Sequence, residues 1–350
     1  MSNTAPAVAP KARRRLSWRT VLGGGLGISV LVATFVFVLP RIANYRDVWE
    51  VVKQLSWSQV ALLVGATAAN LATYAPPWQA ALPGLSFRQA FVLTQASTAS
   101  TFVLPGGAAV GMGVSYGMLR GWRFTGRPVT LALALTGIWN QFAMLAFPVV
   151  ALALLTLSKE QNPLLQTVAF IGVAILVVSA AGFAVGLTSD RLAKWVGDTA
   201  ARLMTRLLGL IRRSPVKWDG LSFVSFRHEA VGLLKRRWLV LTLATLAGQL
   251  TVFVVMLACL RVFDVTPGEV TVIEAFAAWS LARLLGSIPI TPGGLGIVEV
   301  GLTSALVGFG GKNAEVVAAV LVYRFLTIVP TLLLGLGAAA TYRRHKPLEA

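Results

Sequence analysis

Four charged residues interrupt apolar sequence in the C-terminal third of the chain: Glu274, Arg283, Glu299 and Arg324. An ionised side chain in the middle of a bilayer-crossing segment costs at least ~2.5–3.5 kcal/mol on insertion scales, so such residues face a partner or a cavity. Glu274 lies near the end of its apolar stretch, where its carboxylate can reach water, and reads as structural. Glu299 lies deeper, with Gly296 and Thr303 on the same helical face. Arg324 comes ten residues into the last apolar stretch, roughly 15 Å at the helical rise and close to the midplane. Thr327 and Thr331 continue its face. Glu299 and Arg324 can therefore meet. Two readings stand at this point. The pair is a buried ion pair that fixes helix register, or it lines a polar cavity and holds a headgroup.

Just before Glu299 the chain reads Thr291-Pro292-Gly293-Gly294-Leu295-Gly296. Proline removes a backbone donor and glycine tolerates non-helical angles, so this run breaks a helix. Inside a membrane, broken backbone is tolerated only where protein or a water-filled cavity satisfies it. A helix restarting near Leu295 would present unpaired N–H groups and the positive end of its dipole, a natural anion site. Arg283, just before the break, adds a cation. A lipid phosphate is the ligand these groups fit. Close backbone approach is the other explanation for Gly293, Gly294 and Gly296.

Other chemistries lack their residues. The single cysteine, Cys259, excludes an internal disulfide and a thiolate metal cluster. His228 and His345 lie in basic stretches without metal-ligand partners, so neither a metal nor a cofactor is expected. The glycine-rich stretch 106–112 has no following Lys-Ser/Thr and is not a phosphate-binding P-loop. No GxSxG, HExxH or paired-aspartate motif is present, and the chain is not expected to be an enzyme.

The elements that position these residues are membrane helices. Of 350 residues, 56% are hydrophobic and 13% charged, about half the charged fraction of a soluble domain. The expected fold is an all-α polytopic membrane protein. It has about six spanning helices plus two oppositely inserted broken (re-entrant) helix pairs forming inverted repeats. Residues 1–19 and 342–350 read as basic cytoplasmic tails around a single transmembrane domain, 20–341. Residues 21–39 read as a first span, because no small-x-small cleavage site follows Pro40. Repeat one is 58–157 and repeat two is 238–341. Between them lie a span at 164–187 and a basic region reaching Arg237. Within that region, residues 189–213 place Leu192, Trp195, Val196, Leu203, Leu207 and Leu210 on one stripe, weakened by Thr199, and Arg191, Lys194, Asp198, Arg202 and Arg206 on another face. This predicts an amphipathic helix lying in the membrane interface, or one packed on neighbouring loops.

Each repeat contains one break. Leu104-Pro105-Gly106-Gly107 splits the first and Thr291-Pro292-Gly293-Gly294 the second. The net charge of +18 follows the gathering of Lys and Arg in cytoplasmic loops rather than nucleic-acid binding, for which no presenting domain exists. Basic loops then put both termini and residues 188–237 in the cytoplasm. The loops at 77–88 and 120–127 fall inside, and those at 263–269 and 310–313 outside. The two broken elements therefore insert from opposite sides, as in transporters that bind substrate near the midplane between inverted repeats.

The run Pro289-Ile290-Thr291-Pro292-Gly293-Gly294-Leu295-Gly296-Ile297-Val298-Glu299, with Tyr323-Arg324 and Pro330, resembles the lysylphosphatidylglycerol synthase transmembrane-region family. In the bifunctional multiple peptide resistance factor a similar region is the flippase half, which moves aminoacylated phosphatidylglycerol between leaflets. The resemblance implies that Pro292, Gly293, Gly294, Gly296, Glu299, Tyr323 and Arg324 fall on the family's pattern. Two departures stand out. The first broken element in such proteins often carries an Arg and a Glu after its proline, whereas Gly107-Ala108-Ala109-Val110 has neither. Charged headgroup contacts are therefore not expected from that half, and Pro105, Gly106 and Gly107 read as gate or support. No soluble aminoacyl-transferring domain is visible, so lysyl transfer by this chain alone is not expected.

The expected function is a flippase-like lipid transporter in the cytoplasmic membrane, with both termini inside. Its partners would be anionic phospholipids or a lipid-linked substrate. Arg283, Arg324 and the helix terminus would hold a phosphate, and Glu299 would orient Arg324 or contact a cationic headgroup. Two other classes stay open: a membrane-embedded transferase with Glu299 as base, and a non-catalytic partner of a separate lipid-modifying enzyme.

Overall fold

The computed structural model describes residues 50, 53–103, 107–157, 163–210, 219–287 and 294–341. Both tails, the expected first span at 21–39, and Pro105, Gly106, Pro292 and Gly293 lie outside the described residues. Eleven helices and no strand occur among the described residues. They are α1 (Trp57–Thr73), α2 (Pro76–Ala81), α3 (Phe87–Val103), α4 (Gly107–Gly121), α5 (Gly126–Leu157), α6 (Pro163–Thr188), α7 (Asp190–Leu210), α8 (Gly220–Val262), α9 (Val272–Gly286), α10 (Ile297–Gly308) and α11 (Asn313–Thr341). The protein is an all-α polytopic membrane protein. Among the described residues, four helices are long and apolar enough to cross a bilayer, within α5, α6, α8 and α11.

Local sequence sets several helix starts. Ser56 accepts from the Gln59 N–H at 3.3 Å, while Gln59 Oε1 accepts from the Ser56 N–H at 2.8 Å. The same reciprocal capping opens α3 through Ser86 and Gln89, and α9 through Thr271 and Glu274. Glu274 is thus a capping residue, as its position near the end of an apolar stretch implies.

α1 ends at Thr73, Tyr74 caps it, and Pro76 opens the separate α2. Proline lacks the N–H that would continue the preceding helix and suits the first turn of a new one, so the chain restarts there. The basic stretch before residue 238 is not a loop. Residues 220–237, His228 included, are continuous with the following span in one helix of 43 residues. That is roughly 64 Å, twice the ~30 Å hydrocarbon core.

The two broken elements are pairs of short arms. α3 and α4 have 17 and 15 residues, α9 and α10 have 15 and 12. At 1.5 Å per residue each arm is roughly 18–26 Å long, short of the bilayer core. The arms of each pair pack on each other, and each first arm also packs on the long helix that follows the other pair. α3 lies on α11, and α9 lies on α5. α1 and α8, the helices that precede the two pairs, pack together. This exchange is what a two-fold relation between the repeats produces.

Small residues and aromatics make these contacts close. A Cβ on Gly335 of α11 would stand 2.2 Å from the Ala99 Cβ of α3. On the other side, Phe147 of α5, Phe253 of α8, and Phe276 and Trp279 of α9 form a cluster with ring centroids 5.1–5.7 Å apart. Such ring pairs are worth about 0.5–1.5 kcal/mol beyond their buried area, which fixes α9 against both neighbours. The expected amphipathic helix forms as α7. It docks on α8 through Gly197, whose added Cβ would meet Phe223 at 2.8 Å, and leaves Trp195 and Leu203 exposed.

Candidate functional site

α9, α10 and α11 bring the sequence-marked charges together. α10 begins at Ile297, and Glu299 sits in its first turn at 1% exposure. Its Oε2 accepts from the Gly296 N–H at 2.7 Å and its Oε1 accepts from Arg324 Nε at 2.6 Å. The N–H of Gly296, the residue that caps the helix, is taken by the helix's own carboxylate, and an acidic residue in the first turn also offsets the positive end of the dipole. Both oxygens of Glu299 are therefore engaged, one by backbone and one by a guanidinium.

Glycine at 294 has a packing reason. Its φ of +68° lies in the left-handed region, and a Cβ there would come within 2.9 Å of the Gly286 Cα. The chain after the break thus lies directly on the end of α9. Gly296, at φ +85°, turns it into α10. In the first repeat Gly107 takes φ +48° at the start of α4.

Arg283 stands on the last turn of α9, its guanidinium carbon 5.1 Å from the centroid of the Trp279 ring. Among the described residues it has no carboxylate partner. The Trp279 Nε1–H donates to the Tyr323 hydroxyl at 3.2 Å, and Tyr323 precedes Arg324 on α11. Stacking on an aromatic face holds a guanidinium while leaving its N–H edge for another acceptor.

Arg283, Tyr323 and Arg324 line a cavity of about 500 Å³. Glu299 is not in its wall and lies behind Arg324. The rest of the wall is uncharged and more apolar than polar, with Trp78, Phe102, Met112 and Leu133 in it, and its polar groups come largely from the first repeat: Thr94, Ser97, Thr98 and Thr101 of α3, with Thr136 and Asn140 of α5. Thr245 and Gln249 of α8 complete it, Gln249 donating to Asn140 Oδ1. This wall is the part that the sequence reading missed. The signal was present: residues 94, 97, 98 and 101 follow the i, i+3, i+4, i+7 spacing of one helix face. The first arm of the first broken pair thus forms part of the cavity.

No group of three His, Cys, Asp or Glu placed to hold a metal occurs among the described residues.

The model of the family described as "Lysylphosphatidylglycerol synthase TM region" matches residues 23–335. No curated protein matches the chain.

Proposed function

The chain belongs to the lysylphosphatidylglycerol synthase TM-region family and has a lipid-related membrane function; from that premise we propose that it is a flippase-like transporter that moves a phospholipid or lipid-linked headgroup between leaflets. The observation that carries this reading is the cavity. Two arginines and a set of hydroxyls line about 500 Å³ between two repeats, each of which packs its first short arm on the other's long helix. That volume lies in the range of small-molecule sites, about 300–1,000 Å³, and suits a headgroup. Arg283 and Arg324 bind the phosphate, and Glu299 fixes the plane of the Arg324 guanidinium. Sited in the cytoplasmic membrane with both termini inside, the chain would take its substrate laterally from the bilayer.

The transferase alternative needs a base in the cavity. Glu299 has both oxygens hydrogen-bonded and stands outside the wall, which favours a positioning role over proton abstraction.

The test is a leaflet-accessibility assay on reconstituted vesicles carrying fluorescent phosphatidylglycerol or a polyprenyl-linked lipid. Protein-dependent loss of leaflet asymmetry is expected, strongly reduced by Arg324→Ala. Rates equal to those of protein-free vesicles for both lipids would overturn the proposal.

A further inference from the structure

We propose that the cavity selects a phosphodiester headgroup bearing uncharged hydroxyls and discriminates against a cationic one. The proposal rests on the transporter reading and goes beyond it by naming the chemistry of the cargo.

The first observation is charge. Among the described residues that line the cavity, the ionisable groups other than tyrosine are Arg283 and Arg324, both cationic. The nearest acid is Glu299, and it offers nothing to a cation. One oxygen accepts from Arg324 and the other from the Gly296 N–H, and the side chain is 2% exposed. An ammonium group brought into this space meets a guanidinium without a carboxylate to answer it. A phosphate meets two guanidinium groups, that of Arg283 5.1 Å from the Trp279 ring centroid and that of Arg324 paired at Nε with Glu299.

The second observation is the direction of the wall's hydrogen bonds. Thr94, Ser97, Thr101, Thr136 and Thr327 each donate their hydroxyl hydrogen backward to a carbonyl of their own helix, at 2.7–3.2 Å. Each oxygen is then left with lone pairs for an incoming donor. Such neutral acceptors fit the hydroxyls of a glycerol or a sugar; they would accept from an ammonium as well, so the choice between the two headgroups rests on the arginine charge. The Thr245 hydroxyl adds an independent sign. It lies in the cavity wall on a residue 5% exposed, with no hydrogen-bond partner among the described residues. A buried polar atom in that state is matched by a ligand or water group.

Three lipids separate the outcomes in the vesicle assay: phosphatidylglycerol, its lysyl ester, and a polyprenyl-linked sugar phosphodiester. Phosphatidylglycerol is expected to move at least about tenfold faster than the lysyl ester, the scale of one unfavourable charge contact. The sugar lipid decides whether a glycerol or a sugar is the preferred polyol, and movement of either above the lysyl ester supports the proposal. Lysyl ester moving as fast as or faster than both would overturn the selectivity while leaving the transporter reading intact. No movement of any of the three would overturn the transporter reading and the selectivity with it. Charge reversal supplies a second readout. Arg283→Glu is expected to shift the rate ratio towards the lysyl ester, while Arg283→Gln lowers phosphatidylglycerol movement without that reversal. An unchanged ratio in a folded Arg283→Glu protein counts against the proposal.

Discussion

The Glu299–Arg324 pair is buried on both sides, with side chains 2% and 10% exposed. Removing one partner from such a pair leaves an uncompensated charge, at about 3–5 kcal/mol, whereas removing both is far milder. Glu299→Ala and Arg324→Ala should each lower the melting temperature in detergent, and the double variant should recover part of the loss. A double variant as unstable as the sum of the singles would mean that the two side chains do not act as a unit. This pair was legible in the sequence because intramembrane charges are costly and few. The wall's hydroxyls were not, since Thr94, Ser97 and Thr136 bond to their own helices wherever they face, and nothing local says that they meet in one cavity.

At the scale of elements, the turns before α9 and α11 are clasped together. Lys312 Nζ lies 2.9 Å from Glu269 Oε1. The Thr266 backbone N–H and then Lys312 hold the Glu269 carboxyl below its usual range, and Glu269 raises Lys312. The signs oppose each other. Glu269 contributes stability above its unfolded value of 4.5, which is lost as pH falls through its lowered one. Lys312 contributes below its unfolded value of 10.5, which is lost as pH rises through its raised one. The clasp is therefore intact between these limits. Spin-label distances between the two turns should widen on acidification below that carboxylate range, and Glu269→Gln should already be wide at pH 7. Both groups are exposed, so the effect on global stability is small. Helix positions were largely readable from apolar runs and from Pro-Gly breaks. The extension of α8 back to Gly220 was not. In α8 the basic residues Arg227, Lys235, Arg236 and Arg237 hide helical continuity behind their charge.

At the scale of the molecule, each broken pair finds its main support in the opposite repeat. α3 needs α11, and α9 needs α5. A chain cut between Leu210 and Asp219 should give halves that are each protease-sensitive when expressed alone and that recover resistance when expressed together. Resistance of either half alone would show the repeats to be independent units. The sequence carried the repeat and its two breaks, but not this exchange, because contacts such as Ala99 with Gly335 leave no periodicity to read. One more consequence follows from the length of α8. Phe223 rests on α7, and Phe253 lies thirty residues further along in the aromatic cluster against Trp279, roughly 45 Å away on one continuous helix. A straight rod of that length works as a lever: ten degrees of tilt at one end sweeps the other through roughly 8 Å. The amphipathic α7 is at the handle, and the ring that supports Arg283 is at the working end.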